Sequence, residues 1–437
     1  MSIFFCNFVR YFVCGYVRKC KERCQIVSGT MTKADAANVS IRCRRNGRKY
    51  MNKIVGYKEI ERSQWETLVR ESSTGTWFQG PEAYSFYESL PELFRPFVVG
   101  IARDAEHLET SSLDAARLES STLELRGICV GYVTVEKSAL KQMMTRRAII
   151  VGGPVLADDC TEEEACALMQ AVRQRLMIDD RLKMNPIFIE SRNFNDYSRW
   201  KSAFEKAGFE YVPHLNFHVD TSSAEVVEAN LGKSRKRDIR TTIREGVSIV
   251  SLNEPIQNDA SLMPNEPLRS MSRELCSLND EERERKVREY YEILSNLYKT
   301  KVKTPLFPVE FFLELSKQKD ARFLLTEYQG HIVGGTVCVM QEGKCLYEWF
   351  VCGEDGVYVH VFPSSYATYA GIKYAAEHNC PRFDMMGAGK PDEAYGVRDF
   401  KARFGGKEVE NGRFLCVTKP ILYQIGKFGV WLLKRLK

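Results

Sequence analysis

A lysine near the end of the chain stands beside an aromatic residue in a helical segment. Phe400, Lys401 and Phe404 lie in the segment VRDFKARFGG, where the two aromatic residues are one helical turn apart. A partly buried ammonium group can offset negative charge that develops in a reaction, which makes Lys401 and its neighbour Phe400 candidates for a catalytic role. The alternative is that Phe400 and Phe404 are core residues and Lys401 lies on the solvated face of the same helix.

Two carboxylates that end similar strands are candidate general bases. Glu190 ends the segment PIFIE and Asp384 ends PRFD, and each precedes a loop. A carboxylate at such a position can accept a proton from a reacting amine within hydrogen-bonding reach. We expect Asp384 to be a catalytic residue of the site. The alternative is a plain helix-capping or turn role.

The densest group of basic residues after the first fifty lies in the segment KSRKRDIRTTIREGV. Residues three or four apart share one face of a helix, so Arg237 and Arg240 project together, with Lys233 one turn earlier. A paired guanidinium face suits the geometry of phosphate oxygens. The alternative is a solvated basic face, the usual role of such a run.

Metal sites and several hydrolytic chemistries find no support in the sequence. His214 and His218 fall on one face of a strand-like segment, where packing or surface roles are favoured over metal ligation. Cys20 and Cys24 lack the further ligands that a zinc or iron–sulfur site requires. No GxSxG, Walker or HExxH motif is present. We therefore expect no metal and no cofactor.

The distribution of charge argues against a general nucleic-acid-binding protein. The chain has 437 residues and a formal net charge of +6. Residues 1–50 hold 11 Lys+Arg and 2 Asp+Glu, a balance of +9, which leaves −3 for residues 51–437. The hydrophobic content of 44% and the charged content of 27% are those of soluble globular proteins, which excludes disordered, collagenous and polytopic membrane chains.

Strands and helices must position these side chains, since apolar runs of strand length alternate with amphipathic helical segments. The run from residue 322 to residue 353 predicts three antiparallel strands with turns at Gln329-Gly330 and Glu342-Gly343. Thr161 followed by three glutamates predicts the capped start of a helix. The pattern predicts an α/β fold with mixed sheets and helices on both faces.

A short internal repeat indicates a duplicated α/β unit. The strand PIFIE is followed by the pair Trp200-Lys201, and the strand PRFD by the pair Phe400-Lys401; in both cases a phenylalanine follows the lysine after two further residues. Each half thus ends with a strand, a loop, an aromatic-Lys-x-x-Phe helix and a glycine.

The first fifty residues differ from the rest of the chain. Their apolar opening is 15 residues long and contains Arg10, whereas a spanning helix needs about 20 apolar residues. We favour a non-native or disordered extension before a working start at Met51, and the alternative is a monotopic membrane anchor. The expected domains are residues 51–222 and residues 223–437, with the last ~25 residues packing back on the first domain.

Four stretches together resemble the Fem-type aminoacyltransferases, which are peptidoglycan interpeptide-bridge enzymes built from two GNAT-like N-acyltransferase domains. These stretches are WETLVRESSTGTWFQGPEAYSF, LGKSRKRDIRTTIREGV, the strands GGTVCVM and LYEWFVCG, and FDMMGAG with GVRDFKARFGG. Their order covers nearly all of residues 51–437. The resemblance implies two tandem GNAT-like domains and transfer of an aminoacyl group from aminoacyl-tRNA to an amine of a peptidoglycan or other cell-envelope precursor.

The resemblance also implies roles for particular residues. The family's Phe-Lys pair corresponds to Phe400 and Lys401, where the lysine stabilises charge during aminoacyl transfer or holds the tRNA end. The basic segment corresponds to a region that helps to hold the phosphates of the precursor. The residues assigned to substrate binding are Lys233, Arg237, Arg240, Tyr347 and Trp349.

The chain also departs from the family patterns. The Gly-rich loop with which GNAT enzymes cradle the pyrophosphate of acetyl-CoA is missing from both halves, and its place in the second half reads VHVFPSSYATYAG. Acetyl-CoA is therefore disfavoured as the donor. The lysine that some members carry near the first Trp-containing helix is not evident after Gln79.

Two other functions remain open. One is an N-acyltransferase that uses a CoA or carrier-protein thioester in surface-polysaccharide assembly, and the other is a non-catalytic GNAT-like binding module. The expected location is the bacterial cytoplasm or the inner face of its membrane. The basic, amphipathic C-terminus is expected to close the fold against the first domain, and the alternative is a peripheral contact with an anionic membrane.

Overall fold

The strands form two mixed sheets. The helices alternate with the strands along the chain and cover the faces of the sheets. The computed structural model describes residues 40–45, 48–104, 123–178, 184–253, 279–302, 304–393 and 396–435. The strands are β1 Ser40–Arg45, β2 Arg48–Gly56, β3 Phe94–Asp104, β4 Leu123–Thr134, β5 Arg147–Gly152, β6 Val155–Leu156, β7 Phe188–Asn193, β8 Glu210–Val212, β9 Leu215–Asp220, β10 Ser248–Ser251, β11 Ala321–Tyr328, β12 His331–Gln341, β13 Cys345–Gly353, β14 Arg382–Gly387, β15 Lys407–Glu410 and β16 Arg413–Val417. The helices are α1 Arg62–Glu71, α2 Pro81–Glu88, α3 Ala139–Thr145, α4 Glu162–Ile178, α5 Lys201–Lys206, α6 Ala224–Asn230, α7 Lys233–Arg244, α8 Asp280–Leu297, α9 Val309–Leu315, α10 Pro363–Glu377, α11 Val397–Ala402 and α12 Pro420–Arg435.

The first sheet runs in the order β1-β2-β3-β4-β5-β7-β16-β8, and β6 pairs with β4. Its neighbours are antiparallel from β2 to β5. The next pair, β5 and β7, is parallel and stays paired over all six residues, from Arg147 opposite Phe188 to Gly152 opposite Asn193. This half of the molecule therefore keeps its central parallel pair closed.

The second sheet has the order β10-β11-β12-β13-β14-β9-β15. The three antiparallel strands expected from the sequence are β11, β12 and β13. Both predicted turns are present, because Gly330 and Gly343 have the positive φ angles of 83° and 69° that such tight turns require. The strand β14 then lies parallel to β13 and antiparallel to β9.

Each sheet contains a strand from the far side of the predicted boundary at residue 222. The strand β9 precedes that boundary and lies in the second sheet, whereas β16 comes from the end of the chain and lies in the first. Met51 falls inside β2. The division into residues 51–222 and 223–437 stays a prediction, and residues 1–39 of the expected extension lie outside the described part of the chain.

An aromatic core joins elements of the two sheets. Phe78, from the short helical turn before α2, lies with its ring 5.5 Å from the Tyr347 ring and 4.9 Å from the Trp349 ring, both on β13. Edge-to-face contacts of this kind add to the stabilisation from apolar burial. This aromatic core packs against one face of β13, and the candidate site lies on the opposite face.

Local chemistry explains several element boundaries. Thr161 and Glu164 form a reciprocal capping box at the start of α4, since the backbone N–H of each donates to the side chain of the other. The C-terminal helix α12 begins against the first sheet, where the Tyr423 ring packs 5.5 Å from the Phe188 ring. None of the described helices combines the length and the apolar character that crossing a membrane requires.

Eight cysteines between Cys129 and Cys416 are unpaired, as the sequence suggests for small apolar residues. Seven of these eight are buried and Cys166 is partly exposed. Burial raises the pKa of the Cys129 thiol above its usual range, so the thiol stays protonated and unreactive.

Candidate active site at the divergence of β13 and β14

The candidate site lies where the two central strands of the second sheet separate. Their parallel pairing covers three residues and ends at Tyr347 and Asp384, although β13 continues to Gly353 and β14 to Gly387. We call the region between the diverging strands, with Glu348 on one side and the end of β14 on the other, the notch. No equivalent notch exists between β5 and β7, because those strands remain paired to their ends.

Lys401 lies at this notch with only 7% of its surface exposed. Its ammonium group donates to the backbone carbonyl oxygens of Met385, Met386 and Gly387, the last two at 3.3 Å and 2.9 Å. The solvated position considered from the sequence is therefore wrong. Burial lowers the pKa of Lys401 to about 8, and the negative charges of Glu348 and Asp384 oppose that shift.

A bulge in β14 turns these three carbonyl groups toward the lysine. The register against β9 shifts between Asp384 and Gly387. Within the bulge, Met386 has a φ of +61°, a conformation that costs a residue with a side chain roughly 1–2 kcal/mol. Strain at a bulge beside a buried charge is typical of functional sites.

Glu348 is a carboxylate buried in the middle of an apolar strand. Its Oε1 accepts hydrogen bonds from Thr336 at 3.1 Å and Thr368 at 2.9 Å, and the residue is 4% exposed. Burial raises the pKa of Glu348 to about 7, against the opposing effects of Lys401 and the two threonines. Both Lys401 and Glu348 therefore change their charge near neutral pH.

Asp384 is fully buried at the point where the strands separate. Its Oδ1 accepts a hydrogen bond from the backbone N–H of Met386 at 2.7 Å. Its Oδ2 lies 3.3 Å from Nε2 of His218, although the two atoms are not aligned for a hydrogen bond. The expected site aspartate therefore borders the same notch as Lys401, and its partly exposed neighbour His218 connects it toward solvent.

Unlike Lys401, Phe400 does not face the notch. Its ring packs 5.2 Å from the ring of Phe404, and the guanidinium of Arg235 stacks 4.5 Å from the Phe400 centroid. Arg235 also donates to Ser365 of α10 at 2.6 Å. This cation–π stack fastens the short helix α11, and with it Lys401, to α7 and α10.

The three basic residues expected to bind substrate lie on the opposite, outward face of α7. Lys233, Arg237 and Arg240 are exposed, and the Arg237 side chain retains 77% of its accessible surface. The same helix therefore presents an inward arginine, Arg235, and an outward basic row. The assignment of that row to substrate binding remains a prediction.

Tyr347 and Trp349 point away from Glu348, because successive residues of a strand alternate between its faces. Tyr347 is fully buried, and Trp349 is partly buried with its ring 5.3 Å from the Phe311 ring. Both belong to the aromatic core between the sheets. Their expected role in substrate binding remains a prediction, and the contacts described here are packing contacts.

The loop before α10 gives a further argument against acetyl-CoA as the donor. Pro363 occupies the first turn of α10 and has no N–H group, while the N–H of Ser364 donates to Oδ1 of Asp355 at 3.3 Å. A helix N-terminus binds phosphate through free N–H groups and a positive field. Here a carboxylate occupies that end of the helix and would repel a pyrophosphate.

In the described segments no group of at least three His, Cys, Asp or Glu residues is placed to hold a metal ion. Burial and the positive charge of Arg413 lower the pKa of His214 to about 4, so its ring is neutral at pH 7. Its ring lies beside Gly387, where an added Cβ would stand 3.3 Å from Cε1 of the histidine.

Known proteins share both the segment and the fold that contain this notch. Residues 314–428 match the model of the FemAB family. The resemblance to Fem-type proteins is therefore confirmed, and the matched segment contains Lys401, Glu348 and Asp384. A search of curated protein sequences finds no match.

Among solved structures, the crystal structure of FemX is similar to this chain with a TM-score of 0.56 and 10% identity, covering 85% of this chain and 99% of FemX. A tandem GNAT protein from the clavulanic acid biosynthesis pathway has a TM-score of 0.44 and 11% identity, covering 83% and 98%. The C-terminal domain of a lysylphosphatidylglycerol synthetase from Agrobacterium fabrum, described as putative, has a TM-score of 0.43 and 11% identity, covering 68% and 84%. The FemX comparison confirms the expected mixed α/β fold, and the family match supports a transferase.

Sequence reasoning missed the buried partners of the lysine. Glu348 lies between Tyr347 and Trp349, the two residues chosen from its strand, and a glutamate inside the apolar run LYEWFVCG was a signal that was available. Thr336 and Thr368 carry no such signal, because isolated threonines are common in strands and helices. His218 was considered as a surface or packing residue, and its closeness to Asp384 depends on the pairing of β9 with β14.

Proposed function

We propose that the protein is an acyltransferase that moves an aminoacyl group from aminoacyl-tRNA to an amine of a peptidoglycan or other cell-envelope precursor. The observation that carries the proposal is the buried ammonium of Lys401 beside two carboxylates, in a strand notch within the segment that matches the FemAB family. An ester that enters this notch meets positive charge where the oxyanion of the reaction develops.

Lys401 acts through its charge rather than through a new hydrogen bond. The ammonium has three N–H groups, and three backbone carbonyl groups already accept from it. A fixed positive charge in a site with little water retains much of its effect over several ångströms. The same hydrogen bonds hold the β14 bulge in shape, so the lysine both stabilises charge and positions the backbone that contacts the substrate.

Asp384 and His218 handle the proton of the attacking amine. The reaction forms a C–N bond, breaks the ester C–O bond, takes one proton from the amine and returns one to the leaving hydroxyl group of the tRNA. Asp384 accepts the proton of the amine as general base, and the nearby His218 links it to solvent. Phe400 is a positioning residue, because it acts on Lys401 through the stack with Arg235.

The proposal needs no cofactor, because the ester bond of the donor already activates the acyl group. It locates the reaction in the bacterial cytoplasm, where a soluble precursor or a lipid-linked one at the inner membrane face is the acceptor. The helix α12 supports a peripheral membrane contact, since it exposes Ile421, Phe428 and Lys427.

The test compares donors with the full-length protein. Radiolabelled aminoacyl-tRNA, and separately acetyl-CoA, are incubated with the protein and with UDP-linked and lipid-linked precursors. We expect label to move from the tRNA to one precursor pool and not from the thioester. Transfer from the thioester alone would establish the N-acyltransferase alternative. Absence of transfer from either donor, with a folded protein, would favour the binding module.

A further inference from the structure

The outward face of α7 carries a regular row of basic side chains. Lys233, Arg237, Arg240 and Arg244 are all exposed and follow one another at spacings of four, three and four residues. Residues at these spacings project from one face of a helix. We call these four residues the α7 basic row.

Within the part of the chain that the structure describes, the α7 basic row has few ion-pair partners. Lys233, Arg240 and Arg244 make no ion pair there, and Arg237 reaches only the adjacent Asp238, at 3.2 Å. The helix holds six basic residues and one acidic residue, although residues 51–437 together carry a net charge of −3. A concentrated positive row on an otherwise slightly acidic body attracts a polyanion to one place.

The shape of the row distinguishes between anions. A helix rises 1.5 Å per residue, so the eleven steps between Lys233 and Arg244, the first and last of the twelve residues of α7, span about 16 Å. Phosphates of one nucleic-acid strand follow one another at about 3.4 Å along a duplex axis, so the row covers about five of them. The diphosphate of a nucleotide or lipid precursor needs only two neighbouring cations. A membrane contact would need exposed apolar side chains beside the basic ones, and α7 exposes no large apolar residue.

The location of the row links it to the candidate site. The opposite face of α7 presents Arg235, which stacks on Phe400 of the helix that carries Lys401 and on Phe404 in the turn after that helix. The start of α7 is fastened to the end of that helix by a 3.1 Å hydrogen bond from Gly232 N–H to the Arg403 carbonyl oxygen. A Cβ at Gly232 would lie 2.8 Å from this oxygen, so the close contact requires glycine.

We infer that the α7 basic row binds the phosphate backbone of the tRNA acceptor stem, one helix away from the notch that receives the aminoacylated 3′ end. This inference rests on the proposed function for the identity of the donor. It adds that the protein holds the RNA body through local phosphate contacts, independently of nucleotide sequence.

The experiment measures binding of deacylated tRNA to the full-length protein over a range of salt concentrations. The variant K233A/R240A/R244A removes the unpaired charges of the row. The control variant R283A/R285A/R288A removes three arginines of α8 that are ion-paired with Asp280, Glu289 and Glu284, and it changes the net charge by the same amount. We expect the row variant to lose about 10- to 100-fold in affinity and two to three units of salt slope, and the control to change less than about threefold.

Transfer kinetics separate binding of the RNA body from chemistry. With full-length aminoacyl-tRNA, the row variant should raise KM and leave kcat unchanged. With a short aminoacylated 3′-terminal oligonucleotide as donor, it should behave like the wild-type protein. An equal loss of tRNA affinity in both variants would contradict the inference, as would a loss of affinity only for the UDP-linked precursor or only for phosphatidylglycerol vesicles.

The outcomes keep the two proposals apart. If wild-type protein binds tRNA through the row but transfers no aminoacyl group, the proposed function fails and the inference stands. If transfer from tRNA proceeds and the row variant keeps both its affinity and its KM, the inference fails and the proposed function stands.

Discussion

The two halves of the molecule contain the same short motif in opposite environments. Lys201 and Lys401 each follow an aromatic residue and precede a buried phenylalanine by three positions. Lys201 is exposed, with its ammonium 4.4 Å from the ring centroid of Tyr211, whereas Lys401 is buried against three backbone carbonyl groups. The motif therefore fixes a helix and its packing, and it does not by itself fix the environment of the lysine.

The carboxylates at the matching positions of β7 and β14 differ in the same way. Both lie within their strands, which continue to Asn193 and Gly387, rather than at the strand ends expected from the sequence. Glu190 on β7 accepts from Arg192 and Arg413, both at 2.8 Å, and these two charges outweigh partial burial and lower its pKa to about 2. Asp384 on β14 is fully buried and faces only a histidine through Oδ2. The parallel pair β5 and β7 is closed and its carboxylate is neutralised by two arginines, which supports the first half as a scaffold. The pair β13 and β14 is open and its charges are incompletely paired, which supports the second half as the reactive one.

Replacement of the two lysines is the strongest test of this difference. Lys401→Gln removes the buried charge but keeps an amide that can donate to the bulge carbonyls, so we expect transfer to fall by about 10²- to 10³-fold. Lys201→Gln should leave turnover within about twofold, because an exposed charge is screened by solvent. Single-turnover rates with aminoacyl-tRNA measure both, with circular dichroism as the control for folding. Equal losses in the two variants would remove the distinction between the halves.

The carboxylates Asp384 and Glu190 provide the next test. Asp384→Asn cannot accept a proton and should lower kcat by about 10²-fold, within the range of general-base removal. Glu190→Gln should change kcat little, because its carboxylate is held by two arginines in the first sheet. A large loss of kcat in the Glu190 variant with preserved stability would assign chemistry to the first half instead.

Stability against pH should depend on Glu348 and Glu190 with opposite signs. Burial raises the pKa of Glu348 to about 7 from 4.5. Between those values the unfolded chain ionises this group while the folded protein keeps it protonated, so stability falls as pH rises, by up to about 3 kcal/mol. The lowered pKa of Glu190 contributes stability that is present above pH 4.5 and is lost as pH falls toward 2. Denaturant unfolding should show that Glu348→Gln removes the first dependence and Glu190→Gln the second. The same dependence in both variants would contradict the assigned pKa shifts.

Much of the fold follows from the sequence because its signals are local. The hairpin turns at Gly330 and Gly343, the Thr161 cap and the three strands β11, β12 and β13 all appear where short patterns indicate them. The exchange of β9 and β16 between sheets leaves no local signal, since strand partners far apart in the chain are chosen by packing rather than by propensity.

The candidate site is predictable only in part, for the same reason. Lys401 could be selected through the resemblance to the Fem-type family, and Asp384 from residue type and the repeated strand–helix pattern. Glu348 becomes a site residue only because β13 and β14 separate at that point, and the burial of Lys401 depends on a bulge at Met386. Neither the end of a strand pairing nor a positive φ angle at methionine can be read from neighbouring residues.

The bulge itself gives the smallest expected effect. Met386→Gly relieves the positive φ angle, which favours the variant by about 1 kcal/mol. It also increases the freedom of the unfolded chain and removes a partly buried side chain that packs against the aromatic core. We expect a net loss in unfolding free energy of about 1 kcal/mol, measured by chemical denaturation. Asn193→Gly, at the end of the unbulged strand β7, should be more destabilising, because Nδ2 of Asn193 donates to the Asn411 carbonyl oxygen at 3.2 Å. A reversed order would show that the bulge is not under strain.

The most direct test of the account is the position of the donor in a crystal structure of the full-length protein. The ligand would be a 3′-aminoacyl-adenosine analogue with an amide in place of the reactive ester. We predict that its carbonyl group lies in the notch between β13 and β14, beside the bulge at Met385–Gly387 and close to the positive charge of Lys401. A carbonyl group bound at the closed pair of β5 and β7, or elsewhere on the first sheet, would contradict the assignment of the chemistry to the second half.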